Sequence, residues 1–119
     1  MTAPLMGPIL VADELDAVRS YMTSAAFAAF LDQCRHHIAK HIDELTNPPA
    51  SPDRLATLVH AMIGTAGVIG AGQVVQIARR LETAAKASAA TGELTAQLID
   101  AWAEAGRELQ RRRDFQAVA

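Results

Sequence analysis

Cys34 is the only cysteine in a chain of 119 residues. No disulfide can form within the chain, and this usage suits a reducing compartment. Aromatic residues make up only 4%, and Val and Ile are sparse outside two short clusters, so the residues that favour β-strands are largely missing. Positive charge is not in excess: 11 Lys and Arg stand against 13 Asp and Glu, a formal net charge of −2. That balance argues against a nucleic-acid-binding protein. No Lys or Arg precedes Arg19, so the positive n-region of a signal peptide is missing and the sequence reads as cytoplasmic. The stretch from Ala61 to Ala78 carries no Asp, Glu, Lys or Arg and has the length of a membrane span. It also holds Thr65, Gln73, Gln76 and four glycines, which reads as a helix, a turn and a second helix rather than a span. No P-loop or other glycine-rich nucleotide loop occurs, which speaks against an autonomous kinase.

What is present is helix-forming and apolar. The length fits one domain over residues 1–119, and 50% hydrophobic residues supply a core without metal or disulfide. Pro4, Gly7 and Pro8 mark residues 1–12 as irregular, and Asp13 is placed to cap a short lid helix to about Met22, with Leu15, Val18 and Met22 on one side. Phe27, Phe30, Leu31, Cys34, Ile38, Ile42 and Leu45 then recur at steps of three and four, a long amphipathic helix stopped by Asn47, Pro48 and Pro49. Ser51, Pro52 and Asp53 form a helix start, and this helix runs to about Ile69. Gly70, Ala71 and Gly72 supply a turn. Val74, Ala78, Leu81 and Ala85 mark the next helix, which ends between Ser88 and Gly92. Leu94, Leu98, Trp102, Ala105 and Leu109 mark the last, from about Glu93 to Asp114. The fold class is all-α, an antiparallel up-down-up-down four-helix bundle with an additional short N-terminal helix.

At about 100° per residue, Leu55, Leu58, Val59, Met62, Ala66 and Ile69 share one arc of the third helix, and His60 lies opposite, facing solvent. Beside it on the exposed stripe stand Ala56, Gly64 and Gly67, a clearing of small residues. Each mid-helix glycine costs about 0.5–1 kcal/mol relative to alanine, so the pair wants an explanation: close approach by a partner, or else close helix packing or chance. In an antiparallel helix pair, residues equidistant from the turn share a level. Counting from Ala71 sets Glu82 opposite His60 and Arg79 opposite Ile63. Glu82 can accept the imidazole Nδ1 proton and leave Nε2 as a nucleophile, and Arg79 can hold phosphate oxygens. The alternative is an ordinary solvated ion pair on one helix face.

The run His60-Ala-Met-Ile-Gly64-Thr65-Ala66, with Gly70 four residues on and Leu81-Glu82 on the next helix, resembles the signature of histidine-containing phosphotransfer (HPt) domains. The resemblance covers nearly the whole chain. It implies that His60 accepts a phosphoryl group from the aspartyl phosphate of a response-regulator receiver domain and passes it to another. It further implies that Gly64 keeps the histidine accessible and that Glu82 hydrogen-bonds the imidazole. The family's lysine, three residues after the histidine, is Ile63 here. The partners expected are receiver domains and a hybrid histidine kinase, met by a monomer through a surface around Ala56, Thr57, Ile63, Gly64 and Gly67. No cofactor is expected on the bundle itself, Mg²⁺ arriving with the receiver. Two other readings stay open: an HPt-shaped module that binds receivers without taking phosphate, and an unrelated helical metal-binding or structural protein.

Cys34, His37 and His41 bear on the last reading, since the His pair at i, i+4 suits a metal if a third ligand exists. No such ligand is evident in the sequence, so the expectation is a buried thiol and no metal site. Arg111, Arg112 and Arg113 read as a basic last turn that complements the helix dipole. Trp102, at core spacing, reads as packing.

Overall fold

The computed structural model describes residues 12–118, with side chains described for residues 16–112. Among the described residues there are five helices and no strand: α1 (Ala12–Arg19), α2 (Ser24–Thr46), α3 (Pro52–Val68), α4 (Gly72–Lys86) and α5 (Gly92–Val118). The side chains of Asp13, Leu15 and Arg113, and the punctuation at Pro4, Gly7 and Pro8, lie outside what is described. Helix α1 stops at Arg19, short of Met22. The backbone turns there through Tyr21 N–H to Val18 O and Met22 N–H to Arg19 O, and Met22 is exposed rather than part of an inner face.

The helix starts follow local chemistry. Thr23 Oγ1 accepts from the Ala26 N–H at 3.1 Å and Ser51 Oγ from the Arg54 N–H at 3.4 Å, each satisfying an orphan donor of a first turn. Pro52 occupies the first turn of α3 with Asp53 beside it. Helix α3 ends in a left-handed glycine, Gly70 at φ 69°. The Ala71 N–H reaches back to Ala66 O and the Gly70 N–H to Gly67 O, the paired bonds of a Schellman cap. Helix α4 begins at once, so α3 and α4 are held as a tight hairpin.

Helix α3 packs chiefly on α4, α2 on α5, and α4 on α5, with α1 against α2. The α2/α5 pair is antiparallel, because His41 meets Trp102 while Ile38 lies 3.8 Å from the Cβ direction of Gly106. Contact between α2 and α3 is slight, like that between α1 and α2, so the bundle rests on the α3/α4 hairpin, the α2/α5 pair and the α4/α5 seam. The stripes read from the sequence form the core: Phe27, Leu31, Cys34, Ile38 and Leu45 from α2, Val59, Met62 and Ala66 from α3, Val74, Ala78, Leu81 and Ala85 from α4, and Leu98, Trp102, Ala105 and Leu109 from α5 are all buried. Burial pushes the Cys34 thiol up from its usual range, which makes it an unreactive core residue.

The arginine run does not form the last turn of α5, which continues to Val118. Arg111 pairs with Glu108 and with Glu104, and Arg112 pairs with Glu108. Pairing with acids one and two turns back on the same helix, rather than the dipole, is what accommodates Arg111 and Arg112. The beginning of this helix, at Gly92, lies one residue before the expected Glu93.

Candidate functional site

His60 sits mid-helix on α3, its side chain 74% exposed while Val59 and Met62 on either side of the same turn are fully buried. The core arc below it fixes the helix, and the helix fixes the Cα of the histidine. From α4, Glu82 reaches across: His60 Nδ1 and Glu82 Oε2 are 2.8 Å apart. A carboxylate oxygen only accepts, so Nδ1–H donates and the neutral ring presents its Nε2 lone pair to solvent. Glu82 is anchored by its neighbours Leu81 and Ala85, both buried, and its own side chain is only 17% exposed. The Ala71-centred hairpin therefore brings together the two residues that the level count paired.

These groups line an open groove of about 430 Å³ between α3 and α4, bounded by Asp53, Ala56, Thr57, His60, Glu82 and Lys86. Ala56 forms its floor and is buried, not exposed beside the histidine as its place on the outer stripe suggested. The shift arises because α4 covers this turn of α3. Thr57 is exposed and donates its hydroxyl to Asp53 O at 3.0 Å. On the other side of His60, Gly64 and Gly67 are exposed, and a Cβ placed on either would meet nothing within 4 Å. Close helix packing thus does not explain them. Ile63 is half-buried and packs against the core.

Arg79 is not in this groove. It lines a separate one along α4 with Arg80, Thr83 and Ala84. The cation at the histidine is Lys86, which the sequence reading did not single out. Its Nζ lies 3.9 Å from Glu82 Oε2, the same oxygen that accepts from His60. Its signal in the sequence is its place four residues after Glu82, on the same helix stripe.

The histidines of α2 do not converge with Cys34. His41 is buried against Trp102, ring centroids 5.8 Å apart, while His37 is exposed. Among the described residues no group of three or more His, Cys, Asp or Glu side chains is placed to hold a metal ion. Nor is any described helix long and apolar enough to cross a membrane.

The molecule is an all-α bundle with one of its exposed histidines tethered at Nδ1 to a carboxylate of the neighbouring helix. The chain belongs to the Hpt domain family, whose profile matches residues 25–113. No significant match was found among curated proteins or solved structures. Hpt domains are helical carriers of phosphoryl groups on histidine in phosphorelay signalling, distinct from kinases, and they interact with the receiver domains of response regulators.

Proposed function

We propose that this chain, a single domain over residues 1–119, is a phosphorelay carrier in which His60 takes a phosphoryl group from the aspartyl phosphate of one receiver domain and gives it to another. The observation that carries the reading is the 2.8 Å contact of His60 Nδ1 with Glu82 beneath an exposed ring. In the forward step the Nε2 lone pair attacks phosphorus in line, the P–O bond to the aspartyl carboxylate breaks, and the carboxylate leaves with the electron pair. Nδ1–H stays on Glu82, which offsets the positive charge that develops on the ring. Glu82 is thus a positioning residue and His60 the nucleophile.

The docking surface is the part of α3 around His60, where Thr57, Gly64 and Gly67 are exposed and Ala56 and Ile63 lie lower. Bare helix backbone on the Gly64 side lets the receiver's active-site loops come close to the imidazole. The reading assigns Mg²⁺ to the receiver and no cofactor to the bundle, places the chain in the cytoplasm as a monomer, and names a hybrid histidine kinase as the upstream source of phosphate.

The test is incubation of the full chain with a phosphorylated receiver domain, followed by detection of acid-labile, base-stable phosphate. The chain should take up label and His60→Gln should not. Retained labelling of His60→Gln overturns the site. Receiver binding without label on the parent chain means that the replacement of lysine by Ile63 has left a docking module only.

A further inference from the structure

We propose that Lys86 is the phosphate-contacting cation of this carrier, supplying from α4 the charge that Ile63 does not supply from α3. The inference rests on the phosphotransfer reading of His60 and extends it. Three observations lead to it. Position 63 is an isoleucine, half-buried against the core, so no cation stands one turn after the histidine on its own helix. Lys86 is the cation among the residues that line the His60 groove, whereas Arg79 and Arg80 line a different one. And Lys86 is held loosely: its ammonium approaches Glu82 Oε2 no nearer than 3.9 Å, at 66% side-chain exposure.

An ion pair of that length and exposure is worth little, so the ammonium is free to leave it. When Nε2 attacks, the phosphoryl group in transit carries negative charge spread over its three equatorial oxygens. The four-carbon stem of Lys86 then carries the ammonium from Glu82 toward those oxygens as a mobile point charge. Glu82 loses little by this, since the imidazole it holds becomes more positive in the same step. Before transfer, the same contact tempers the repulsion that Glu82 would exert on an incoming phosphate. Asp53 at the other rim of the groove adds negative charge there, which raises the need for a local cation. No co-reactant beyond the phosphodonor is required: the bond formed is Nε2–P, and the bond broken is that between phosphorus and the donor's leaving group.

The experiment uses phosphoramidate as donor to the full chain, because this small molecule brings no lysine or Mg²⁺ site of its own. The rate of phosphohistidine formation is read by ³¹P NMR, and the phosphoryl resonance is then titrated with pH. Lys86→Ala should slow labelling about tenfold, the loss of one charge-assisted contact. It should also raise the pH at which the phosphoryl group loses its second proton. Lys86→Arg should stay within about threefold of the parent, retaining the charge. Ile63→Lys added to Lys86→Ala should recover most of the rate, its stem packing on the core and its head reaching water. Arg80→Ala should match the parent. If the parent labels at His60 but Lys86→Ala labels equally fast with the same phosphoryl titration, or if Arg79→Ala proves the slower variant, the proposal is wrong while the phosphotransfer reading stands. A parent chain that takes no phosphate from phosphoramidate or from a receiver overturns both.

Discussion

An exposed imidazole on a helix samples several rotamers and both neutral tautomers, and a nucleophile needs one of each. Glu82 selects them, since one hydrogen bond from Nδ1 to a mostly buried carboxylate fixes the ring and its proton together. Glu82→Ala should therefore slow phosphate uptake from a receiver by about tenfold, the value of one hydrogen bond to a charged group, without abolishing it. The ¹⁵N shifts of the His60 ring should move from a single Nδ1–H tautomer to a mixture. Identical ring shifts in parent and variant would show that the two groups do not interact in solution. The pair was legible in the sequence because both residues lie equally far from a glycine turn. Lys86 was less so: the same count sets it opposite Ala56, and only its long stem brings it back to Glu82. Arg79 lines the other groove for the complementary reason, because a level along the helix does not settle which way a long side chain leaves it.

Helix ends and helix surfaces show where local chemistry and function pull apart. Both α3 and α4 close with the same paired backbone bonds, Ala71 to Ala66 and Gly70 to Gly67 in one, Ala89 to Ala84 and Ser88 to Ala85 in the other. The left-handed residue is Gly70 in α3 but Ser88, at φ 53°, in α4. A Cβ in that region costs about 1–2 kcal/mol, so Ser88→Gly should raise the unfolding free energy by about 1 kcal/mol, read as a higher denaturant midpoint with unchanged slope. A lower midpoint would mean the serine side chain compensates for its backbone. The sequence placed this helix end only between Ser88 and Gly92, because a serine carries no left-handed signal. Gly64 is the opposite case, a residue that weakens its helix with open space around it. Gly64→Ala should stabilise α3 by up to about 1 kcal/mol, and Gly64→Leu should slow transfer from a receiver while leaving labelling by phosphoramidate unchanged. Equal receiver kinetics in Gly64→Leu and parent would make the clearing incidental.

Across the whole bundle, the apolar period of α2 to α5 was enough to read the core, since nearly every residue on the expected stripes is buried. What it hid was His41, a polar residue at core spacing from Cys34 and Ile38. Burial holds this imidazole below its ordinary value of 6.5, outweighing the opposing pull of Glu44, while His37 and Lys40 add to the lowering. The unfolded chain takes up the proton as the pH falls through about 6.5, and the native chain does so only lower. Stability is then full above about pH 7 and declines as the pH drops below the unfolded value. His41→Leu should flatten that decline below about pH 6.5 in denaturant titrations, and an unchanged slope would place the pH dependence elsewhere. Trp102, wholly buried against His41, should cost about 3–5 kcal/mol as Trp102→Ala, the cavity falling between α2 and α5 and leaving the α3/α4 hairpin to lose its support. On the proposed function that hairpin presents one ring nitrogen, and the most direct test is to find where the phosphorus goes. After phosphorylation by a receiver domain, ¹⁵N-labelled chain should show phosphorus coupled to Nε2 of His60 alone, with a proton retained on Nδ1. Coupling to Nδ1, or phosphate on His36, His37 or His41, would contradict the account.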